Sequence, residues 1–178
     1  NNGYLILENI IDLDTCDQLF DLITMHTNVE RYSSKGGYIY GDGNMQRIYN
    51  LVTKENSFRK ILEQPIIHEV MSKIFYRETF HSKYYLTSFH ANVLAPEANP
   101  QIWHIDANVP EPLPDWNIRA NVNFLVQDYT SKNGATEVIP GSHRWLRKPN
   151  TNEVTRTYPS AIKIEASKGS VIIWHGYL

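Results

Sequence analysis

Hydrophobic and polar positions change their period once along this chain. In the first part they recur at three- and four-residue steps. Leu13, Cys16, Leu19, Phe20 and Ile23 fall on one face of a predicted helix, with Asp12 or Asp14 as its N-cap. Asn56 is a candidate cap for a helix carrying Phe58, Ile61 and Leu62. Pro65 interrupts that pattern, and Ile67, Val70, Met71 and Ile74 form a second amphipathic stripe. Tyr4–Leu7 reads as a short strand, and 33–44, rich in Gly and Tyr, as a loop or irregular hairpin. After Ser82 the period becomes two. Tyr85, Thr87, Phe89, Ala91 and Val93 alternate with Tyr84, Leu86, Ser88, His90 and Asn92. In 119–128, Ala120, Val122, Phe124 and Val126 face one way, while Asn121, Asn123 and Gln127 face the other, with Leu125 among them. Residues 161–166 and 170–174 are two further strands separated by Lys168-Gly169. Helices first and short strands afterwards predict a mainly β fold of two sheets with helices packed on one side.

Length and composition narrow the class. The chain has 178 residues, which suits one domain: a helical and mixed part over about 1–80 and a β core over about 82–178. Lys+Arg number 17 against 19 Asp+Glu, a net charge of -2, so nucleic acid is not the expected partner. The single cysteine, Cys16, excludes an internal disulfide framework and a cysteine-only zinc site. No apolar run reaches the roughly 20 residues that span a bilayer. The expected setting is a soluble protein of a reducing compartment, the cytoplasm.

The sharpest chemical feature is Trp103-His104-Ile105-Asp106. In a strand, residues i and i+2 point to one face, so His104 and Asp106 would aim an imidazole and a carboxylate into one space. Two such ligands and a distant histidine make the facial triad of a non-haem Fe(II) centre. A strand-end pair bonded to the backbone is the structural alternative for the tripeptide alone. Gln101 lies three residues before His104. Asn133-Gly134-Ala135-Thr136-Glu137-Val138-Ile139-Pro140-Gly141-Ser142-His143 follows a strand with polar side chains, and then comes Lys168-Gly169-Ser170-Val171-Ile172-Ile173-Trp174-His175-Gly176.

Together these three separated motifs resemble the phytanoyl-CoA dioxygenase family of Fe(II)- and 2-oxoglutarate-dependent oxygenases, and the opening Gly3–Leu7 with its following helix extends the likeness over nearly the whole chain. The resemblance implies a double-stranded β-helix, a cupin-like jelly roll, with iron at its open end. It implies His104 and Asp106 as catalytic iron ligands and Gln101 and Thr136 as contacts of 2-oxoglutarate. Thr136 as a pleat-filling residue and Gln101 as a turn-bonding one remain open. The activity implied is hydroxylation of a small molecule with O2, releasing succinate and CO2.

The third ligand departs from the pattern. His143 matches a family histidine that is not a ligand. The family's ligand histidine falls just beyond Leu178, and the arginine that clamps 2-oxoglutarate falls further on. The expectation is therefore a chain truncated at its C-terminal end; the alternatives are a protein without a complete triad and one in which His175 is an in-chain substitute ligand. Tyr38, Tyr40 and Tyr49 are lid candidates, and Trp116 either caps the entrance or anchors its loop. His26, His68 and His81 are expected at the surface or in caps, and His90 inward with Ser88 and Asn92. The competing readings are a cupin-type metal enzyme without 2-oxoglutarate and a jelly-roll binding module.

Overall fold

A computed structural model describes residues 2–31, 38–40 (main chain), 44–76 and 84–178. In chain order the elements are β1 (Tyr4–Leu7), α1 (Leu13–Glu30), β2 (Tyr38–Tyr40), β3 (Met45–Ile48), α2 (Leu51–Lys54), α3 (Asn56–Leu62), α4 (Pro65–Phe75), β4 (Ala91–Leu94), β5 (Ala120–Phe124), β6 (Glu137–Val138), β7 (Ile162–Lys163) and β8 (Val171–His175). Asp12 caps α1: its carboxylate accepts from the Thr15 N–H at 2.8 Å, satisfying one of the donors a helix start leaves open. Pro65 stands at the start of α4, where its missing N–H costs nothing. Asn56 is the first helical residue of α3 rather than its cap; Glu55 holds the cap position without a side-chain bond.

The strands form a three-stranded sheet ordered β1-β8-β5, a second ordered β2-β3-β4 and a two-stranded β6-β7 ribbon. β8 is central and antiparallel to both neighbours, with Tyr4 and Asn121 each opposite Trp174. The period-two pattern sorts its side chains onto two faces. Val171 and Ile173 pack with Ala120, Val122 and Phe124 against Ile67 and Met71 of α4. Ile172 and Trp174 turn the other way, toward Leu125, Val138 and Ile164. A third cluster joins Cys16 and Leu19 of α1 to Ile48, Leu51, Phe58 and Ile61. Burying each such side chain stabilises the fold by about 1.5–3 kcal/mol.

The turn into β8 requires a glycine. Gly169 has φ +85, and a Cβ there would sit 2.5 Å from the Ile11 carbonyl oxygen. The close approach lets the Ile10 and Ile11 N–H groups donate to the Gly169 carbonyl at 2.9 and 3.0 Å, which ties the segment after β1 to the start of β8.

Several expectations change. Leu13 and Phe20 are exposed, at 59% and 37%, so α1 buries a narrower face than its spacing suggested. Residues 84–90 alternate in sequence but pair with no strand among the described residues; regular pairing begins at Ala91. Residues 161–166 contribute only β7 and a bridge between Tyr129 and Ala166. The expected loop over 33–44 lies mostly outside the described residues, as do His81 and the side chains of Tyr38 and Tyr40. No helix among the described residues is long and apolar enough to cross a membrane.

Candidate metal centre

His104 and Asp106 do meet, though not on a strand. Residues 101–118 carry no strand, and the backbone there is held from both sides. The Trp103 N–H donates to the Val154 carbonyl and its indole N–H to the Arg156 carbonyl, both at 2.9 Å. The Ala107 N–H donates to the Gly176 carbonyl at 2.9 Å. Ala107 and Leu113 are buried against Tyr177, with Ile105 and Val109 packed beside them. This loop, not the two-residue strand period, sets the direction of both side chains.

The pair stands with His104 Nε2 3.6 Å from Asp106 Oδ1. Each residue is anchored through its other polar atom. His104 Nδ1 lies 2.7 Å from the Ile102 carbonyl, an acceptor, so Nδ1 carries the hydrogen and the neutral ring presents the Nε2 lone pair to Asp106. Asp106 Oδ2 accepts from Asn121 Nδ2 at 2.7 Å and from Trp174 Nε1 at 2.9 Å. An imidazole lone pair and a carboxylate oxygen facing one another repel unless a cation stands between them. A proton satisfies that need: the Asp106 carboxylate holds the His104 pKa above its ordinary value, against the opposing effect of burial. A metal ion satisfies it equally, and imidazole with carboxylate is a donor set that suits Fe(II). Burial pushes the Asp106 carboxyl up, but the His104 imidazole beside it, the bond from Trp174 and the nearby Arg119 charge outweigh it, so its pKa lies below the usual carboxylate value.

Positive charge and a neutral imidazole surround the pair. Burial, aided by Arg47 and Arg119, lowers the His90 pKa to about 4, although Asp106 pulls the other way. Ser88 Oγ is 3.3 Å from His90 Nδ1, as the shared face predicted. Arg47 Nε donates to Asn92 Oδ1 at 2.8 Å, and the Tyr49 ring stands 5.9 Å from His90. Arg119 Nε is buried without a hydrogen-bond acceptor among the described residues.

The other candidate residues are placed differently. Gln101 is exposed in the loop before His104. The Thr136 hydroxyl bonds the Tyr129 hydroxyl at 2.6 Å. No hydrogen bond among the described residues joins either one to His104 or Asp106. His175 lies on the β8 face opposite Trp174, and Trp174 is the residue that reaches Asp106. Its Nδ1 accepts from the Tyr177 N–H at 3.1 Å, so its hydrogen sits on Nε2. Its ring lies tilted beside His143, 5.2 Å between centroids and 38° between planes, and the two line a cleft of about 200 Å³ with Trp116, Arg144 and Tyr177. Among the described residues no group of three His, Cys, Asp or Glu side chains is placed to hold a metal. His26, expected at the surface, is largely buried between Glu30 and Glu55, 3.6 and 3.9 Å away. Trp174 is the residue the sequence reading passed over: an aromatic on a strand between Ile172 and His175 reads as core.

Comparison with known proteins places the chain in a family. The model of the Phytanoyl-CoA dioxygenase (PhyH) family matches residues 1–178, and the chain belongs to that family. It is 31% identical over 137 residues to dioxygenase aneA of Aspergillus aculeatus, covering 74% of this chain and 45% of that one. It is 28% identical over 185 residues to the iron/alpha-ketoglutarate-dependent dioxygenase ausO of Aspergillus calidoustus, covering 98% and 60%. The chain thus spans about half the length of the curated relatives it matches. Its fold is similar to the crystal structure of HygX from Streptomyces hygroscopicus with nickel, 2-oxoglutarate and hygromycin B bound. There the TM-score is 0.74 at 11% identity, over 99% of this chain and 75% of that one.

Proposed function

We propose that this chain is the core of an Fe(II)- and 2-oxoglutarate-dependent dioxygenase that hydroxylates a small molecule, folded as one cupin-like double-stranded β-helix domain over 1–178. The observation that carries the reading is the pair itself: two free donor atoms 3.6 Å apart, each backed by a hydrogen bond on its far atom. Family membership supports the same chemistry, as do relatives named dioxygenases.

His104 Nε2 and Asp106 Oδ1 would hold the metal, which when bound with 2-oxoglutarate supplies the oxidation of an unactivated C–H bond by O2. The chain's own residues do the rest. The Ile102 carbonyl fixes the imidazole tautomer. Asp106 contributes one negative charge, so a divalent ion keeps a net positive charge to attract the dianionic co-substrate. Gln101 and Thr136 are the proposed contacts of 2-oxoglutarate, Thr136 after exchanging its bond with Tyr129. Arg119 and Arg47 raise the local potential, which favours an anion nearby.

Anaerobic titration with Fe(II) and 2-oxoglutarate tests the reading. A weak visible charge-transfer band is expected in the full-length protein and is expected to vanish in His104→Ala and Asp106→Ala. Absence of the band at saturating co-substrate refutes the use of 2-oxoglutarate and favours a cupin-type metal enzyme or a binding module.

A further inference from the structure

Asp106 is gripped from one side only. Asn121 and Trp174 are directly opposed residues of β5 and β8, on the same face of the sheet, and both donate to a single atom, Oδ2. A carboxylate oxygen has two in-plane lone-pair directions, and two donors fill them. Oδ1 receives neither bond and stands beside His104 Nε2. We infer that Asn121 and Trp174 are positioning residues that lock the Asp106 carboxylate so that one oxygen alone is offered to the metal, making Asp106 a one-oxygen ligand with a fixed ring of donors behind it. The inference rests on the reading of His104 and Asp106 as the metal pair.

The chemistry is specific. An indole N–H donates and never accepts, so Trp174 cannot turn its nitrogen into a competing ligand. Asn121 has the short reach of its strand position and presents its amide hydrogens when the facing atom is an anion. Without these bonds the carboxylate rotates about its terminal torsion, which is broad and roughly two-fold. Its second oxygen can then enter the coordination sphere and take a place that O2 or co-substrate needs. Losing an outer partner of a metal ligand typically costs 10–100-fold in metal affinity or activity.

Cobalt(II) is the probe, because its visible absorption reports coordination number and geometry without turnover. The variants are Trp174→Phe, which keeps an aromatic ring, and Asn121→Leu, which keeps the volume. Each is expected to weaken Co(II) binding by about 10-fold and the double variant by more, within the range of outer-sphere effects, with the absorption envelope shifted and the far-UV circular dichroism unchanged. Wild-type affinity together with a wild-type envelope in both single variants overturns the inference. Weaker binding with an unaltered envelope also overturns it, since that is what a purely structural loss gives. Loss of Co(II) binding in His104→Ala and Asp106→Ala is required alongside; retention there refutes the metal pair itself, a separate failure. Should Trp174→Phe fail to fold, the native protein still decides. The Trp174 indole N–H proton resonance is expected to move on Zn(II) saturation, and a resonance that stays fixed refutes the contact.

Discussion

Two histidines stand close to β8, His104 in the loop over 101–118 and His175 at the strand's own end, and their surroundings are opposites. His104 faces a carboxylate, which raises its pKa, and turns its Nδ1 hydrogen to a backbone carbonyl so that a lone pair is left over. His175 faces another imidazole and aromatic walls; burial, then the neighbouring His143, lowers its pKa to about 4, and its Nδ1 is already used by the Tyr177 N–H. One ring has a spare donor atom aimed at an anion. The other has spent its lone pair on the fold. Being a histidine on the right strand is therefore not enough to make a ligand: the second nitrogen's partner decides what the first can do.

This contrast can be broken at several points. The largest effect is expected from His104→Ala or Asp106→Ala, which should reduce 2-oxoglutarate-dependent succinate release to background, more than the roughly 100-fold that an outer partner can cost. His175→Ala should leave it within about tenfold. Equal losses in both would mean that His175 acts at the metal after all. Next comes packing. Ile173, 2% exposed, shares the His175 face of β8. Ile173→Ala should cost about 2–5 kcal/mol in denaturant unfolding, whereas Leu5→Ala, opposite it on β1 and 41% exposed, should cost under about 1 kcal/mol. A small loss for Ile173 would show that the α4 face tolerates cavities.

The smallest effect is a pH dependence. The folded pKa of His175, about 4, lies below its ordinary 6.5, so the unfolded chain takes up the proton first. Its contribution is complete above pH 6.5 and is lost as the pH falls toward 4. His175→Gln should therefore lose less melting temperature than the native protein between about pH 7.5 and about pH 4.5. Identical slopes would remove His175 from the account of acid stability.

Much of this was legible in the residue pattern, for reasons that also mark its limit. The faces of α4, β5 and β8 follow from spacing, because burial selects one side of a helix or sheet and the period then identifies the element. Asn121 was readable as a polar residue on the strand face opposite Ala120 and Val122, but not as a partner of Asp106. The His104 and Asp106 partnership was readable too, but by a wrong route: the strand that spacing suggested is an irregular loop, pinned by Trp103, Ala107 and Tyr177. Periodicity names faces and not partners, so 84–90 alternates without a ladder beside it, and Leu13 and Phe20 keep helical spacing while facing outward. Trp174 was hidden because a tryptophan among isoleucines looks apolar until its single N–H finds an acceptor.

The pairing of β1 with β8 carries a consequence for assembly. The strand that delivers Trp174 to Asp106 is flanked on one side by residues 4–7, from the far end of the sequence, and on the other by β5. Contacts of such long range close slowly, because the loop entropy is lost before the contact energy is gained. The grip on Asp106 thus depends on pairings between distant parts of the sequence, and helices formed on their own would not assemble it.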